Sequence, residues 1–226
     1  MNKNFFLNLF ALDIIIYFVG MFLQNDLIQL ICKPLLVTFL LLYFVAATNS
    51  VADSLKLLII AALLFSIIGD TLLMFANNNE IYFILGLAGF LMAHLFYILC
   101  FHKIKNHENI AGRWPWAVAV GVYYGFIMSI LIPHLGDMKI PVLVYGIVIS
   151  FMLLIAALLY DMEDNRTARY ILTGAILFVV SDSVLALNKF YHPFRFGGYV
   201  IMTTYIGAQY LLVKGLVRYI LKEKNN

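Results

Sequence analysis

Charge is scarce in this chain. Only 12% of its 226 residues are Asp, Glu, Lys or Arg, about half the share in a soluble domain. The formal net charge is +3, and no dense basic patch occurs, which argues against a nucleic-acid partner. Cysteine is nearly absent. Cys32 and Cys100 form no CxxC pair, and the spans below put them near opposite membrane faces, so neither a disulfide between them nor a zinc site is expected. No nucleophile elbow, P-loop or HExxH run is present, which removes the commonest soluble hydrolase and nucleotide chemistries.

What the chain has instead is apolar surface. Apolar residues make up 64% and aromatics 15%. A soluble core of this size has no room for that excess, so it must face lipid. The expected fold is all-α, a polytopic membrane helical bundle of about eight transmembrane helices. Apolar runs of spanning length lie at 5–23, 27–47, 55–75, 80–101, 114–133, 139–159, 168–188 and 197–219. Turn residues or charges break them at Gln24-Asn25-Asp26, Asn77-Asn78-Asn79-Glu80, Lys103 to Arg113, Pro133 to Asp137, Asp161 to Arg166 and Lys189 to Arg195. The short linkers predict one integral membrane domain over 1–226, with no soluble domain or disordered tail. The first run has the look of a signal peptide, but it is long, holds Asp13 and precedes no small-residue cleavage site, so a retained helix is expected.

Basic residues sort by side. Lys3, Lys56, Lys103, Lys105, Arg113, Arg166, Arg169, Lys214, Arg218, Lys222 and Lys224 fall on one side, and Lys33, Lys139, Lys189 and Arg195 on the other. Eleven against four predicts that both termini are cytoplasmic. Seven or nine spans with split termini is the competing count. A shift of 112 positions lays Asp70 on Asp182 and Gly86 on Gly198, with Ile67-Ile68 on Val179-Val180. A four-plus-four parallel internal repeat would produce this match, as would chance similarity between apolar helices.

Asp70 and Asp182 stand inside two of these spans. A carboxylate in a bilayer costs at least about 2.5 kcal/mol and needs a partner, a cavity or a task. Counting at about 1.5 Å per residue puts Asp70, Asp182 and Lys33 at one depth, roughly 7–9 Å below the outer boundary. Pro34 follows Lys33 and is expected to loosen the helix there. Lys33 fits either a site residue or a lysine that snorkels to the interface. Deeper lie His94 and Tyr97 in the fourth span and Tyr205 and Gln209 in the eighth, each pair on one helix face. The resulting expectation is a cavity open outward, acidic at its mouth and polar to its middle. His94 and Gln209 fit structural hydrogen bonding equally well. Asp13 is mid-span with no partner evident in sequence, and fits either a member of this cluster or a side chain paired with a backbone group. Ser66, Gly69, Ser181 and Ser183 flank the acids and permit close helix approach. If the acids only joined helices, Ser or Asn would do so at lower cost. His102 and His107, with Lys103 and Lys105, are expected in a loop; Asp161, Glu163 and Asp164 read as a solvated loop, and Asp53 as the N-cap region of the third span.

The run Gly69-Asp70-Thr71-Leu72-Leu73-Met74, followed by Gly86, Phe90, His94 and Tyr97, resembles the first signature of the YhhN family of lysoplasmalogenase-like membrane proteins. Ser181-Asp182 followed by Tyr205, Ala208 and Gln209 resembles the second, and Lys33-Pro34-Leu35 its early Lys-Pro element. The likeness spans most of the chain. Thr203-Thr204 before Tyr205 departs from the aromatic or aliphatic character expected there. The resemblance implies hydrolysis of the vinyl ether bond of a lysoplasmalogen, or a related lysolipid, to a fatty aldehyde and a glycerophospho-base. Its partners would be a lysophospholipid substrate and membrane lipids, and its place a bacterial cytoplasmic membrane.

Acid hydrolyses a vinyl ether, so the reaction calls for a carboxylic acid and a carboxylate, as in glycosidases. Asp70 and Asp182 are the candidate catalytic residues, with the roles open. Lys33, His94, Tyr97, Tyr205 and Gln209 are candidate substrate-binding residues, Lys33 either meeting a phosphate or biasing an aspartate. No metal or organic cofactor is called for. A proton-coupled small-molecule or lipid transporter is the alternative, since intramembrane acids suit it too.

Overall fold

The computed structural model describes residues 3–49, 51, 53–76 and 79–223. Asn77 and Asn78 of the break before Glu80, and Lys224 of the charge tally, lie outside them. Among the described residues, eight helices are long and apolar enough to cross a membrane. They are α1 (Lys3–Phe22), α2 (Asp26–Thr48), α3 (Leu55–Met74), α4 (Glu80–His107), α5 (Trp114–Leu131), α6 (Lys139–Leu158), α7 (Asn165–Ala186) and α8 (Gly197–Glu223). In lipid every backbone polar group must be satisfied internally, and continuous helices do this.

Several local expectations change. α4 continues to His107, so His102, Lys103, Lys105 and His107 are helical rather than loop residues. The His102 ring meets Asn106 one turn on, at 3.1 Å. α2 runs unbroken through Pro34, whose carbonyl accepts from Thr38 Oγ1 at 2.8 Å. Residues Leu187–Tyr191 form a π-helical turn that extends α7 into the segment expected as a loop from Lys189.

The chain divides into two compact units, Met1–Tyr97 with Tyr219–Asn226, and Ile98–Arg218, with boundaries inside α4 and α8. The described residues form eight spanning helices, and nothing among them marks a four-plus-four repeat.

In the first unit, α1 packs along α2 and α2 along α3. Gln24, at φ 51°, turns the chain, and the Asn25 side chain accepts the Ile28 N–H at 3.1 Å. Asp53 Oδ1 accepts the Leu55 N–H at 2.7 Å and so opens α3. Lys56 Nζ donates to the Thr48 carbonyl at the end of α2 at 2.8 Å and to the Val51 carbonyl beyond it at 3.0 Å. α3 and α4 meet through bare backbone, since a Cβ on Gly89 would lie 3.0 Å from Gly69 Cα. Phe65 and Phe96 stack across the same seam.

In the second unit α7 packs against α6. The segment Asp161 to Arg166, expected as solvated loop, is tied down. Asp161 pairs with Arg113 Nε at 2.8 Å. Asp164 caps α7, accepting from the Arg166 N–H at 3.2 Å and Thr167 Oγ1 at 2.8 Å, and pairs with Arg218 Nε at 2.8 Å. Partial burial works against the Asp164 charge, but the Arg218, Thr167 and Arg166 hydrogen bonds outweigh it and hold the carboxyl at about 2.

Candidate active site

In the first unit α2 and α3 bring two charges together. Lys33 Nζ lies 3.7 Å from Asp70 Oδ1, with side chains 14% and 1% exposed. Lys33 therefore turns inward to the carboxylate instead of reaching for the interface. Asp70 can sit so deep because Gly69 and Gly89 let α3 and α4 close against each other there, with the Phe90 ring over Gly69.

α1 adds groups that the sequence did not mark as site residues. Its buried residues Phe6, Phe10, Asp13, Tyr17 and Gly20 form one stripe. Asp13 bonds the Cys32 thiol, the neighbour of Lys33. Its Oδ2 is buried with no hydrogen-bond partner among the described residues. Tyr17, one turn further, is 3% exposed and lies within electrostatic reach of Asp70 and Cys32. The i, i+4 spacing of Asp13 and Tyr17 was visible in sequence, but nothing there says that this face meets α2. On α4, His94 and Tyr97 are fully buried, and His94 faces the Phe90 carbonyl.

In the second unit the run Ser181-Asp182-Ser183 sends three consecutive side chains to three helices. Ser181 Oγ donates to the Ile201 carbonyl on α8 at 3.0 Å. Asp182 Oδ2 accepts the hydroxyl of Tyr145 on α6. Ser183 Oγ accepts the hydroxyl of Tyr123 on α5 at 2.9 Å. Successive helical residues turn by about 100°, so three in a row reach three neighbours. The serines are thus hydrogen-bonding groups as well as small ones. Tyr145 and Tyr123 were not anticipated, because a tyrosine in an apolar span reads as lipid-facing or interfacial. On α8, Gln209 Nε2 donates to Tyr205 Oη at 3.3 Å, and the Tyr205 ring packs edge-on to Phe178 at 5.5 Å.

The two intramembrane aspartates thus have chemically different partners, a cation for Asp70 and a neutral phenol for Asp182. Two carboxylates in unlike settings are what acid and base roles require.

A model of the YhhN family matches residues 28–216. The chain belongs to the YhhN family. It is 32% identical over 187 residues to the lysoplasmalogenase TMEM86B of Rattus norvegicus, covering 83% of this chain and 71% of that protein. It is 32% identical over 167 residues to the lysoplasmalogenase TMEM86A of Homo sapiens, covering 70% and 65%. The membrane protein YhhN of Escherichia coli O157:H7 is 24% identical over 184 residues, covering 81% and 85%. No solved structure matches the chain. The YhhN match takes in Lys33, Asp70, His94, Tyr145, Asp182, Tyr205 and Gln209, and leaves out α1 with Asp13 and Tyr17.

Proposed function

We propose that this member of the YhhN family is a membrane-embedded lipid hydrolase that cleaves the vinyl ether bond of a lysoplasmalogen or related lysolipid. The observation that carries the reading is the pair of intramembrane aspartates, each held by a different partner, in a chain similar to proteins named lysoplasmalogenase.

The reaction balances with one water. A carboxylic acid protonates the chain carbon beta to the ether oxygen, and the π electrons form an oxocarbenium ion. A carboxylate takes a proton from water as its oxygen adds to that cation. The hemiacetal then collapses to a fatty aldehyde and the glycerol alcohol. The two carboxyl groups are Asp70, paired with Lys33, and Asp182, which accepts the Tyr145 hydroxyl, one serving as acid and the other as base. His94, Tyr97, Tyr205 and Gln209 supply polar groups for the water and the glycerol hydroxyl. The chemistry calls for no cofactor.

Many secondary transporters build their ion sites on discontinuous helices. Here Asp70 and Asp182 lie on continuous α3 and α7, which favours hydrolysis over proton-coupled transport. The basic bias places both termini on the cytoplasmic side. The test incubates purified protein with lysoplasmalogen and assays free aldehyde and glycerophospho-base in equal amounts. Solute or lipid flux across liposomes with no aldehyde would replace this reading with transport.

A further inference from the structure

The second unit holds a cavity of about 240 Å³ whose lining includes Tyr123 but none of Tyr145, Asp182, Tyr205 and Gln209. Trp116, Ala119 and Tyr123 of α5, Leu153 of α6, and Leu172 and Val180 of α7 form its walls. Its surface is almost wholly apolar. Two further observations give it a direction. The residues it takes from α7 follow a helical stripe, Leu172, Ile176, Val179 and Val180, whose next step is Ser183. Tyr123 belongs to the cavity wall, yet its hydroxyl donates to Ser183 Oγ at 2.9 Å. The apolar space therefore ends at one polar pair, next in sequence to Asp182. From Leu172 to Val180 the wall rises about 12 Å along α7. Ala119 and Ile176 are exposed, so the cavity opens sideways onto the lipid-facing surface.

We propose that this cavity receives the hydrocarbon chain of a single-chain lipid, with the end that carries the reacting bond at Ser183 and Tyr123. The proposal rests on the lysolipid hydrolase reading and adds where the chain lies. An apolar cavity of about 150 Å³ takes up benzene, so this one has room for a longer run of one chain and too little for two. Lipid tails are as apolar as the cavity wall, so a chain entering it from the bilayer gains little hydrophobic free energy. The cavity thus sets position. It holds the chain in line with α7 and brings the ether end to the helical turn of Asp182. An occupant with a polar head at the inner end would set that head among Leu153, Leu172 and Trp116, where the indole N–H is the one polar side-chain group.

Trp116 lines the cavity, and Trp114 is the other tryptophan of the chain. Trp114→Phe leaves Trp116 as the reporter, and Trp116→Phe leaves Trp114, which is 77% exposed, as the reporter of bulk detergent. The full chain, in detergent without bromine, is titrated with an alkyl-ether lysophospholipid brominated at mid-chain, which lacks the vinyl bond. The expected result is saturable quenching of Trp116, reversed by excess unbrominated lipid, with weak unsaturating quenching of Trp114. Ala119→Phe on α5 or Val180→Phe on α7, added to Trp114→Phe, removes the saturable part. In the aldehyde assay these variants lower turnover of long-chain substrate by tenfold or more relative to short-chain substrate. Quenching of Trp116 that never saturates, or that resists competition, overturns the proposal without any cavity variant. Saturable quenching without aldehyde release keeps the chain site and removes the hydrolase reading. Aldehyde release with equal loss for all chain lengths keeps the hydrolase and removes the chain site.

Discussion

Tyr145 on α6 donates its hydroxyl to Asp182 on α7, across 37 positions of sequence. The tyrosine is buried, so the carboxylate it meets is held in one orientation. A hydrogen bond to a charged group contributes about 1.5–3 kcal/mol. Tyr145→Phe keeps the ring and removes the donor. Steady-state kinetics on lysoplasmalogen should show kcat lower by roughly tenfold to a hundredfold, with KM little changed. An unchanged kcat would remove Tyr145 from the site.

Asp70→Asn and Asp182→Asn separate chemistry from helix joining. The amide keeps the volume and most hydrogen bonding but transfers no proton. Each variant should elute as folded protein in size-exclusion chromatography and lose aldehyde release by at least about a hundredfold. If both retain turnover, the carboxylates only join helices and the acid–base reading fails.

Lys33→Met leaves the Asp70 carboxylate, 1% exposed, without its cation. Breaking one side of such a pair costs about 3–5 kcal/mol. Thermal unfolding in detergent should show a lower midpoint for Lys33→Met, and the double variant with Asp70→Asn should recover much of the loss. In kinetics kcat should fall. A rise in KM with kcat unchanged would move Lys33 to binding the head-group phosphate.

Asp164 has its carboxyl held at about 2, below the ordinary range. A depressed folded value stabilises the protein above the unfolded value of about 3.9. That contribution is lost as pH falls through the folded value. The melting temperature of the native protein should exceed that of Asp164→Asn at pH 6, and the gap should close between about pH 4 and pH 2. A gap that persists at pH 2 would show that the cap geometry, not the charge with Arg218, carries the effect.

The segment after α4 tests the orientation. Cys32 and Cys100 are buried, so a surface cysteine can be read against a quiet background. Glu108→Cys should react with an impermeant maleimide only in inside-out vesicles. Labelling from the outside of intact cells would invert the topology.

Much of the fold was readable because each span is a long apolar run with turn chemistry between. Asp70, Asp182 and Lys33 stood out because a charge inside such a run is costly. The ends were less legible. α4 runs to His107 and α7 passes into a π-helical turn, because charged residues near a membrane surface continue a helix as readily as they end one. Asp164 read as a loop acid but caps α7 through Arg166 and Thr167, and its Arg218 partner, 54 positions away, was not legible.

By itself the sequence determined the number of spans, because length and rise per residue leave little freedom, and it singled out the acids, because charge in lipid is costly. Only the tertiary structure decided which groups meet. A membrane helix is apolar on every face, so periodicity does not tell which side turns inward. The rotation of each helix about its axis follows from packing, such as the bare contact of Gly69 with Gly89. That rotation set Tyr145 on Asp182, Tyr123 on Ser183 and Cys32 on Asp13.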